Sequence, residues 1–381
     1  MENNKTPKIR FKGFTDDWEQ RELGEVATEI VAGGDIEKDM ISDIGEYPVI
    51  ANALTNDGIV GYYSDNFRIK APAVTVTGRG DVGHAKARTV DFTPVVRLIT
   101  IMSKLDSHFL ENRINTLNIM VESTGVPQLT VPQLSKYNIS YPTNKVEQTK
   151  IGTFFKTLDN LITCHQHKCD KLVNVKKSML EKMFPKNGEK IPEIRFKGFT
   201  DAWEQRELGE VFEERTERSS DGELISVTIN SGIKKFSELN RHDNSSDDKS
   251  NYKVVCENDI AYNSMRMWQG ASGYSPYNGI VSPAYTVLAP HEDINSVFFS
   301  YMFKKSEMIQ TFQVRSQGIT SDTWNLKYPA FSKIEVLKPK YSEQTKIGTF
   351  FKTLDNLITC HQRELEKLKN IKKSLLEKMF V

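Results

Sequence analysis

Six residues, Gly78-Arg-Gly-Asp-Val-Gly83, have the glycine spacing of a loop that binds the phosphates of a dinucleotide. Such a loop works because glycine lets the backbone approach a pyrophosphate, which lies at the N-terminus of the helix that follows. Here residues 84–94 are predicted to be extended and basic, and a lone motif of this kind is weak. The favoured interpretation is a tight glycine loop that brings the backbone and Arg79 close to a partner.

The charge around this loop indicates what the partner is. Residues 66–97 contain six basic and two acidic residues. The resulting local charge of +4 suits contact with phosphates. Arginine also pairs well with a guanine edge. DNA contacts are therefore predicted for Lys70, Thr77, Arg79, His84, Lys86 and Arg88. A solvated hairpin without a partner would have the same composition, and the residues alone do not distinguish the two.

A second set of polar and aromatic residues follows in the other half of the chain. Asparagine and glutamine pair with adenine, arginine pairs with guanine, and aromatic faces pack on sugars or bases. DNA contacts are predicted here for Asn263, Ser264, Arg266, Gln269, Tyr274, Arg315, Gln317 and Trp324. Asparagine and glycine in such loops are also ordinary turn formers, so each single choice is weak.

Two further motifs suggest chemistry and do not support it. Cys164-His165-Gln-His167-Lys-Cys169 resembles a zinc cluster, but four such side chains on one helix spread over too wide an arc for tetrahedral coordination. Ser282-Pro-Ala-Tyr285 only faintly resembles the tetrapeptide of amino-methyltransferases, because it lacks the amide or carboxylate that would hold the target amino group. We predict no metal site, no catalytic residue and no cofactor bound by this chain.

The segments that are expected to position these residues each occur twice in the sequence. An opener, defined as residues 9–26, recurs at 194–211 with one change, Asp17 to Ala202. A second segment, 147–166, recurs unchanged at 343–362. Between opener and helix lie two variable blocks, 27–146 and 212–342, in which we find no extended similarity. Two equal scaffolds suggest one partner bound twice, whereas two unequal blocks suggest two different targets.

The second repeated segment is predicted to be a long helix. Apolar residues recur at sevens through 147–184 and 343–380, which is typical of a coiled-coil seam. At 1.5 Å per residue each helix would reach roughly 57 Å. We predict that the two helices pair antiparallel as a spacer, and we assign subunit-interface contacts to Phe154, Leu158, Leu161, Phe350, Leu354 and Leu357.

Both variable blocks are predicted to be rich in strands, which gives an α+β fold class. Strands are expected at 73–77, 89–92 and 95–102 in the first block and at 224–230, 252–256 and 280–288 in the second. Helices are expected near 108–118 and over 297–313.

The composition narrows the kinds of protein that this chain can be. Lys+Arg number 51 and Asp+Glu number 50, so the chain is near neutral, which argues mildly against non-specific coating of nucleic acid. Four cysteines suggest free thiols in a reducing compartment. No window suggests a membrane span or a signal peptide, and the prediction is a cytoplasmic protein.

The architecture resembles the specificity subunit (HsdS) of type I restriction–modification systems. The motifs that carry the resemblance are P-x-I-R-F-x-G-F-T-x-x-W at 7–18 and 192–203, the Leu-Gly pairs at 23–24 and 208–209, the Glu-Gln pairs at 147–148 and 343–344, the helix motifs at 151–162 and 347–358, and the block sequences at 58–63, 78–83 and 278–285. Their order, opener, block and helix, occurs twice, so the set is specific.

The resemblance implies a non-catalytic, sequence-specific DNA-recognition subunit. It implies target recognition domains at 1–146 and, with a connector, at 185–342, and helical spacers at 147–184 and 343–381. The implied partners are double-stranded DNA, two adenine methyltransferase subunits and restriction subunits, with S-adenosylmethionine, ATP and Mg on those subunits. The alternatives are a subunit of a fused nuclease–methylase system, a bivalent protein-binding scaffold and, third, a self-contained methyltransferase.

Overall fold

The computed structural model of the protein describes residues 6–120, 125–186, 188–229, 232–239, 242, 245, 248–321 and 323–380. The chain forms two compact units. Unit 1 comprises Met1–His167 and Gln362–Val381, and unit 2 comprises Lys168–His361. Each unit therefore contains one opener, one variable block and parts of both long helices.

The elements follow one another in this order. The strands are β1 Glu19–Glu22, β2 Ala27–Ala32, β3 Tyr47–Ile50, β4 Ile59–Tyr63, β5 Ala73–Thr77, β6 Ala85–Arg88, β7 Thr93–Pro94, β8 Leu98–Ser103, β9 Asn138–Tyr141, β10 Glu204–Glu207, β11 Phe212–Glu214, β12 Ile225–Thr228, β13 Gly232–Lys235, β14 Lys253–Val255, β15 Ile260–Asn263, β16 Ser272–Tyr274, β17 Gly279–Val281, β18 Tyr285–Pro290 and β19 Glu335–Lys338. The α-helices are α1 Leu23–Val26, α2 Ser107–Asn115, α3 Val131–Ser135, α4 Lys145–Lys182, α5 Ser296–Met302, α6 Ser306–Arg315, α7 Tyr328–Phe331 and α8 Tyr341–Met379.

The centre of unit 1 is a four-stranded antiparallel sheet in the order β2-β8-β5-β6. Strand β5 is a run of alanine, valine and threonine in which all five residues are buried, as expected for a central strand covered on both faces. Val74, Val76, Ile99 and Ile101 form a core with Leu110 of α2. A smaller sheet, β4-β3-β7, lies in the same block.

The centre of unit 2 is also a four-stranded antiparallel sheet, in the order β11-β18-β15-β16. Its core contains Ile260 and Tyr262 of β15 and Leu288 of β18, packed with Phe299 of α5. Two further antiparallel pairs, the hairpin β12–β13 and the pair β14–β17, complete the block.

The two central sheets therefore share one topology. Strands β2, β8, β5 and β6 correspond to β11, β18, β15 and β16 in both order and direction. The helix after each sheet is also capped alike: Asp106 accepts from the Phe109 N–H at 2.9 Å, and Asn295 accepts from the Phe298 N–H at 3.0 Å. The variable blocks, in which we found no extended sequence similarity, are two versions of one fold.

Each opener pairs with the last strand of its own block. In unit 1, β1 pairs antiparallel with β9, and in unit 2, β10 pairs antiparallel with β19. The opener tryptophans, Trp18 and Trp203, are 3% and 2% exposed. The near-identity of the openers thus reflects buried contacts that are made once in each unit.

Within unit 1, the first part of α4 packs against the last part of α8. The Phe155 and Phe380 ring centroids are 5.8 Å apart, and Lys372 donates to Asp159 at 2.6 Å. Because the residue number rises along α4 while it falls along α8, the two helices run antiparallel here.

Within unit 2, the same contacts recur with the helices exchanged. Phe351 of α8 lies 6.1 Å from Phe184, which follows α4, and Lys176 donates to Asp355 at 2.6 Å. The predicted α+β class, with two strand-rich domains and two long antiparallel helices, is confirmed.

Three predicted elements are wrong in detail. The single helix expected over 297–313 is two helices, α5 and α6, separated where Lys305 adopts an extended conformation, φ −63° and ψ 142°. The apolar period continues across this break, so the pattern could not reveal it.

The strand expected over 280–288 is likewise two strands, β17 and β18. A turn closed by the Tyr285 N–H to the Ser282 carbonyl, at 3.0 Å, separates them, and Pro283 has no N–H to give to a ladder. The strand expected at 89–92 is instead β6, Ala85–Arg88. Asn230, at the end of the predicted run 224–230, lies outside the described residues.

In the described ranges we find no helix that combines the length and the apolar character needed to cross a membrane.

Candidate nucleic-acid interface

Hairpin loop 1, residues 78–84, connects β5 to β6. The Gly83 N–H donates to the Thr77 carbonyl at 2.9 Å, and the Thr77 N–H donates to the His84 carbonyl at 3.0 Å. Gly80 and Gly83 have φ of +76° and +88°, which only glycine adopts readily. A strand follows the loop where a dinucleotide site needs a helix, so the glycine spacing serves a hairpin.

A side chain outside the loop holds its backbone in place. Asn52 accepts from the Gly78 N–H at 2.6 Å and donates to the Arg79 carbonyl at 2.8 Å. On the other side, the Gly80 N–H donates to the Pro127 carbonyl at 2.9 Å. The loop is therefore braced on both sides, and the exposed Arg79 side chain projects from a fixed backbone.

Three of the predicted residues lie in this loop or directly beside it. Arg79 is exposed and makes no ion pair with any residue the structure describes. His84 contacts Asp81 at 2.8 Å, and Lys86 lies 3.6 Å from Asp57. The side chains of both pairs are about half exposed or more. Such exposed ion pairs contribute only about 0–1 kcal/mol to the stability of a protein. A DNA phosphate could replace either carboxylate at little cost.

The other three predicted residues of unit 1 are placed differently. Thr77 is 5% exposed, and its hydroxyl donates to the Asp81 carbonyl and accepts from the His84 N–H, so it shapes the loop. Arg88 is half-buried and donates to the Thr75 hydroxyl at 2.9 Å, and burial lowers its pKa. Lys70 is exposed but precedes β5, at the end of the strand opposite the loop.

Hairpin loop 2, residues 264–271, connects β15 to β16 and so corresponds to hairpin loop 1. The Asn263 side chain accepts from the Met265 N–H at 3.0 Å, and Gly270 has φ +79° where a short 3-10 helix, Met267–Gln269, ends. Arg266 and Gln269 are exposed on this turn.

A second segment, residues 317–321 and 323–326, meets hairpin loop 2. The Trp268 and Trp324 rings pack edge to face with centroids 5.2 Å apart. Gln317 and Asn325 exchange backbone hydrogen bonds of 3.0 and 2.8 Å across the segment. Together with Arg315 at the end of α6, these contacts bring most of the predicted residues of unit 2 into one surface region.

Two predicted residues of unit 2 do not point outwards from this region. Ser264 is 8% exposed, and its hydroxyl bonds to the Thr286 hydroxyl at 2.9 Å. Tyr274 is half-buried, and the Lys352 ammonium of α8 lies 5.4 Å from its ring centroid. Tyr274 therefore faces the long helix.

The same brace recurs in both units. The Leu129 N–H donates to the Gly78 carbonyl at 2.9 Å, and the Leu326 N–H donates to the Ser264 carbonyl at 2.8 Å. In each unit the segment that precedes a short helix, α3 or α7, thereby fixes the β-hairpin loop. The residues chosen separately around Arg79 and Arg266 thus occupy corresponding loops of one fold.

Several exposed residues beside these loops were not predicted from the sequence. Arg97 has φ +78° and donates to the Gln128 side chain at 3.1 Å, next to hairpin loop 1. Met265, within hairpin loop 2, is 45% exposed, and Ile319, in the segment that meets this loop, is 99% exposed. Apolar side chains of this kind suit a thymine methyl group. No pattern in the sequence separates them from ordinary loop residues.

Comparison with known proteins identifies the family. The sequence model of the type I restriction modification DNA specificity domain matches residues 15–174 and again residues 200–370. The chain belongs to this family. The two matches to the specificity domain cover both variable blocks and most of both long helices.

Two curated relatives come from Mycoplasma pneumoniae and carry the name of type I specificity subunits. S.MpnORF89P is 27% identical over 160 residues, which are 41% of this chain and 47% of the relative. S.MpnORF507P is 29% identical over 136 residues, 34% of this chain and 37% of the relative. The matched regions thus span about half the length of these relatives or less.

A solved structure has the same fold. The S subunit of a type I restriction-modification system from M. genitalium superposes with a TM-score of 0.69 at 17% identity, over 99% of each chain. At this identity the likeness establishes the fold of the specificity-domain chain and not its target.

The helix residues predicted to form a subunit interface divide into two groups. Leu158 and Leu354 are each 8% exposed, and Phe154 and Phe350 are half-buried against Phe11 and Phe196, so these four stabilise their own units. Leu161 and Leu357, at corresponding positions, are 43% and 44% exposed. Of these six residues, only Leu161 and Leu357 leave a large apolar side chain exposed.

The described residues contain no group of three or more His, Cys, Asp or Glu side chains arranged to hold a metal. Cys164 and Cys360 are exposed free thiols, and Cys169 is buried. The assignment of no metal and no cofactor to this specificity-domain chain stays a prediction.

Proposed function

We propose that this chain is the DNA-recognition subunit of a type I restriction–modification complex that recognises an asymmetric bipartite site. One observation carries the proposal. Two units with the same sheet order and the same braced hairpin loop present different residues on those loops, while openers and helices are nearly identical. One fold with two sets of contact residues is what two different half-sites require.

The proposed partners are those that the family implies, and the repeated scaffold supplies two equal places for one of them. Two adenine methyltransferase subunits would bind the duplicated parts, with Leu161 and Leu357 as exposed apolar contacts. These subunits would hold S-adenosylmethionine, and restriction subunits would hold ATP and Mg, while the recognition chain itself carries no catalytic residue. The long helices, 38 and 39 residues, would set the length of the unread spacer between half-sites.

For the proposed domains we keep the bounds that were predicted from the sequence. The first target recognition domain would occupy 1–146 and the second 185–342, with spacers at 147–184 and 343–381. Each would present its hairpin loop to a major groove, since bases are distinguished there by hydrogen-bonding pattern.

Exchanging residues 27–146 for the corresponding block of another family member tests the whole proposal. We expect the methylated DNA sequence to change in one half and to stay the same in the other, because each block recognises one half-site. The measurement is genome-wide mapping of methylated adenines in cells that carry the matching methyltransferase subunits. Exchange of residues 212–342 is the matched control and should change the other half. If neither exchange alters the methylated sequence, the chain is a protein-binding scaffold or recognition lies elsewhere.

Arg79→Ala tests the contact itself. We expect a loss of about 1–3 kcal/mol of discrimination at one base pair, because a bidentate arginine contact contributes that much. The measurement is binding of the reconstituted complex to a panel of duplexes with single substitutions. Arg266→Ala should affect a position in the other half-site, and the exposed Arg21→Ala, away from both loops, should affect none. A uniform loss of affinity with Arg79→Ala would mean that this side chain contacts only the DNA backbone.

A further inference from the structure

Unit 1 contains a cavity of about 720 Å³ bordered by α2, α4 and α8. Its size falls within the range of small-molecule sites in proteins. The wall supplied by Ile162, Leu376 and Phe380 is apolar, while Arg113 and lysines of α8 supply positive charge. The cavity belongs neither to hairpin loop 1 nor to the segment that braces it.

Arg113 is the unusual member of the lining. It is 8% exposed, one of its terminal nitrogens donates to the Thr116 hydroxyl at 2.8 Å, and its Nε is buried without a hydrogen-bond partner among the described residues. No carboxylate of the described chain pairs with it, and burial lowers the pKa of the guanidinium to about 10. A buried cation without an anion is costly, so an oxyanion in the cavity would stabilise it.

The α8 lysines strengthen the positive charge of the same cavity. Lys372 is paired with Asp159 at 2.6 Å, but Lys369 and Lys373 have no ion pair with any described residue. Four cations and two carboxylates, Asp159 and Glu377, line the cavity and leave a net charge of +2.

Unit 2 shows that the fold does not need this arginine. Arg113 lies four residues after Phe109, and the residue four after the corresponding Phe298 is Met302, which is 4% exposed in the core of unit 2. The position of Lys369 in the repeat corresponds to Val173. Unit 2 has Lys304 and Lys305 where unit 1 has Asn115 and Thr116, so positive charge at this place is common to both units. The buried arginine without a carboxylate partner among the described residues is the feature that belongs to unit 1.

We propose that this cavity binds a small phosphate monoester that carries an apolar or aromatic group, with Arg113 as the main anchor of the phosphate. A phosphate monoester has about −1.5 to −2 charges at pH 7 and so matches the net charge of the lining. Arginine binds phosphate through two parallel N–H donors, and the apolar wall suits the organic part of the ligand. This site is independent of DNA recognition.

Titration calorimetry on the full-length chain tests the proposal, with phenyl phosphate and inorganic phosphate as probes. We expect phenyl phosphate to bind saturably and more tightly than inorganic phosphate. Arg113→Met, which installs the residue of unit 2, should weaken phenyl phosphate binding at least tenfold. Because a core substitution can disturb folding, the exposed Lys373→Met provides a second variant, with an expected loss of about threefold or more.

Lys177→Met is the matched control, since Lys177 occupies the position of Lys373 in the other repeat and should leave binding unchanged. Absence of saturable binding to the wild-type chain would overturn the proposal, as would an equal loss with Lys177→Met. If inorganic phosphate bound as tightly as phenyl phosphate, the apolar wall would make no contact with an organic group, and the proposed ligand class would be wrong. Displacement of the probe by a short DNA duplex would show that the cavity contacts DNA phosphates, and competition only by an acidic peptide would identify a protein-docking site. Either result would overturn a small-molecule site.

Discussion

Phe380→Ala is expected to destabilise unit 1 by about 3–5 kcal/mol, the usual cost of truncating a buried phenylalanine. Phe380 is 8% exposed, and its ring centroid lies 6.1 Å from Trp18, 5.5 Å from Phe109 and 5.8 Å from Phe155. The ring therefore joins the opener, α2 and α4 at the end of the chain. Hydrogen exchange measured peptide by peptide should show faster exchange in β5 and β8, since local stability is reported by protection of the core strands.

Phe184→Ala is the matched control in unit 2. Phe184 is 2% exposed and contacts Trp203, Phe298 and Phe351 at 6.0, 5.3 and 6.1 Å, so the same four-ring cluster is present. This variant should accelerate exchange in β15 and β18 and leave β5 and β8 protected. If Phe380→Ala loosens both units equally, or neither, the ring cluster does not hold unit 1 together as we infer.

These clusters show where prediction from the sequence succeeded and where it stopped. The repeats at 9–26 and 147–166 and the period of seven predicted two openers and two long helices, because identity and periodicity are local signals. The packing of Phe380 beside Trp18 joins residues that lie near opposite ends of the chain. The predicted antiparallel pairing places Phe380 near the start of α4, but no local pattern shows that the opener packs there as well.

The shared topology of the variable blocks was missed for a different reason. Buried strand residues can be exchanged among apolar types of similar size while a sheet keeps its order. Strand β5 is Ala-Val-Thr-Val-Thr and its counterpart β15 is Ile-Ala-Tyr-Asn, so the sequences share no identity although the strands occupy the same place. Only the backbone reveals the correspondence.

The candidate interface was predicted in part. Arg79 and Arg266 were predicted from loop composition and charge, and the structure shows that both are exposed on hairpin loops, while their contact with DNA stays a prediction. Thr77 and Ser264 were chosen by the same reasoning, yet their hydroxyls bond inside the protein. Asn52, which fixes hairpin loop 1 from 26 residues away, gives no local signal.

Arg10→Met is expected to destabilise unit 1 by about 3 kcal/mol, near the lower end of the cost of breaking a buried ion pair. Arg10 donates to both carboxylate oxygens of Glu147, at 2.6 and 2.8 Å, and the Glu147 side chain is only 1% exposed. Without Arg10 the carboxylate stays buried and unpaired. Its position in the first turn of α4 offsets part of the loss, because a helix N-terminus favours negative charge.

A double-mutant cycle separates the pair from its environment. Arg10→Met with Glu147→Leu should recover most of the stability, since an apolar pair of similar size often replaces a buried ion pair at little cost. Arg195→Met is the matched variant of unit 2, where Arg195 donates to Glu343 twice at 2.7 Å, and it should destabilise unit 2 alone. Urea unfolding followed by hydrogen exchange in β8 and β18 measures each unit separately. If the single and double variants of Arg10 are equally unstable, the loss comes from packing of the arginine stem and not from an unpaired carboxylate, and the ion pair only positions the opener on α4.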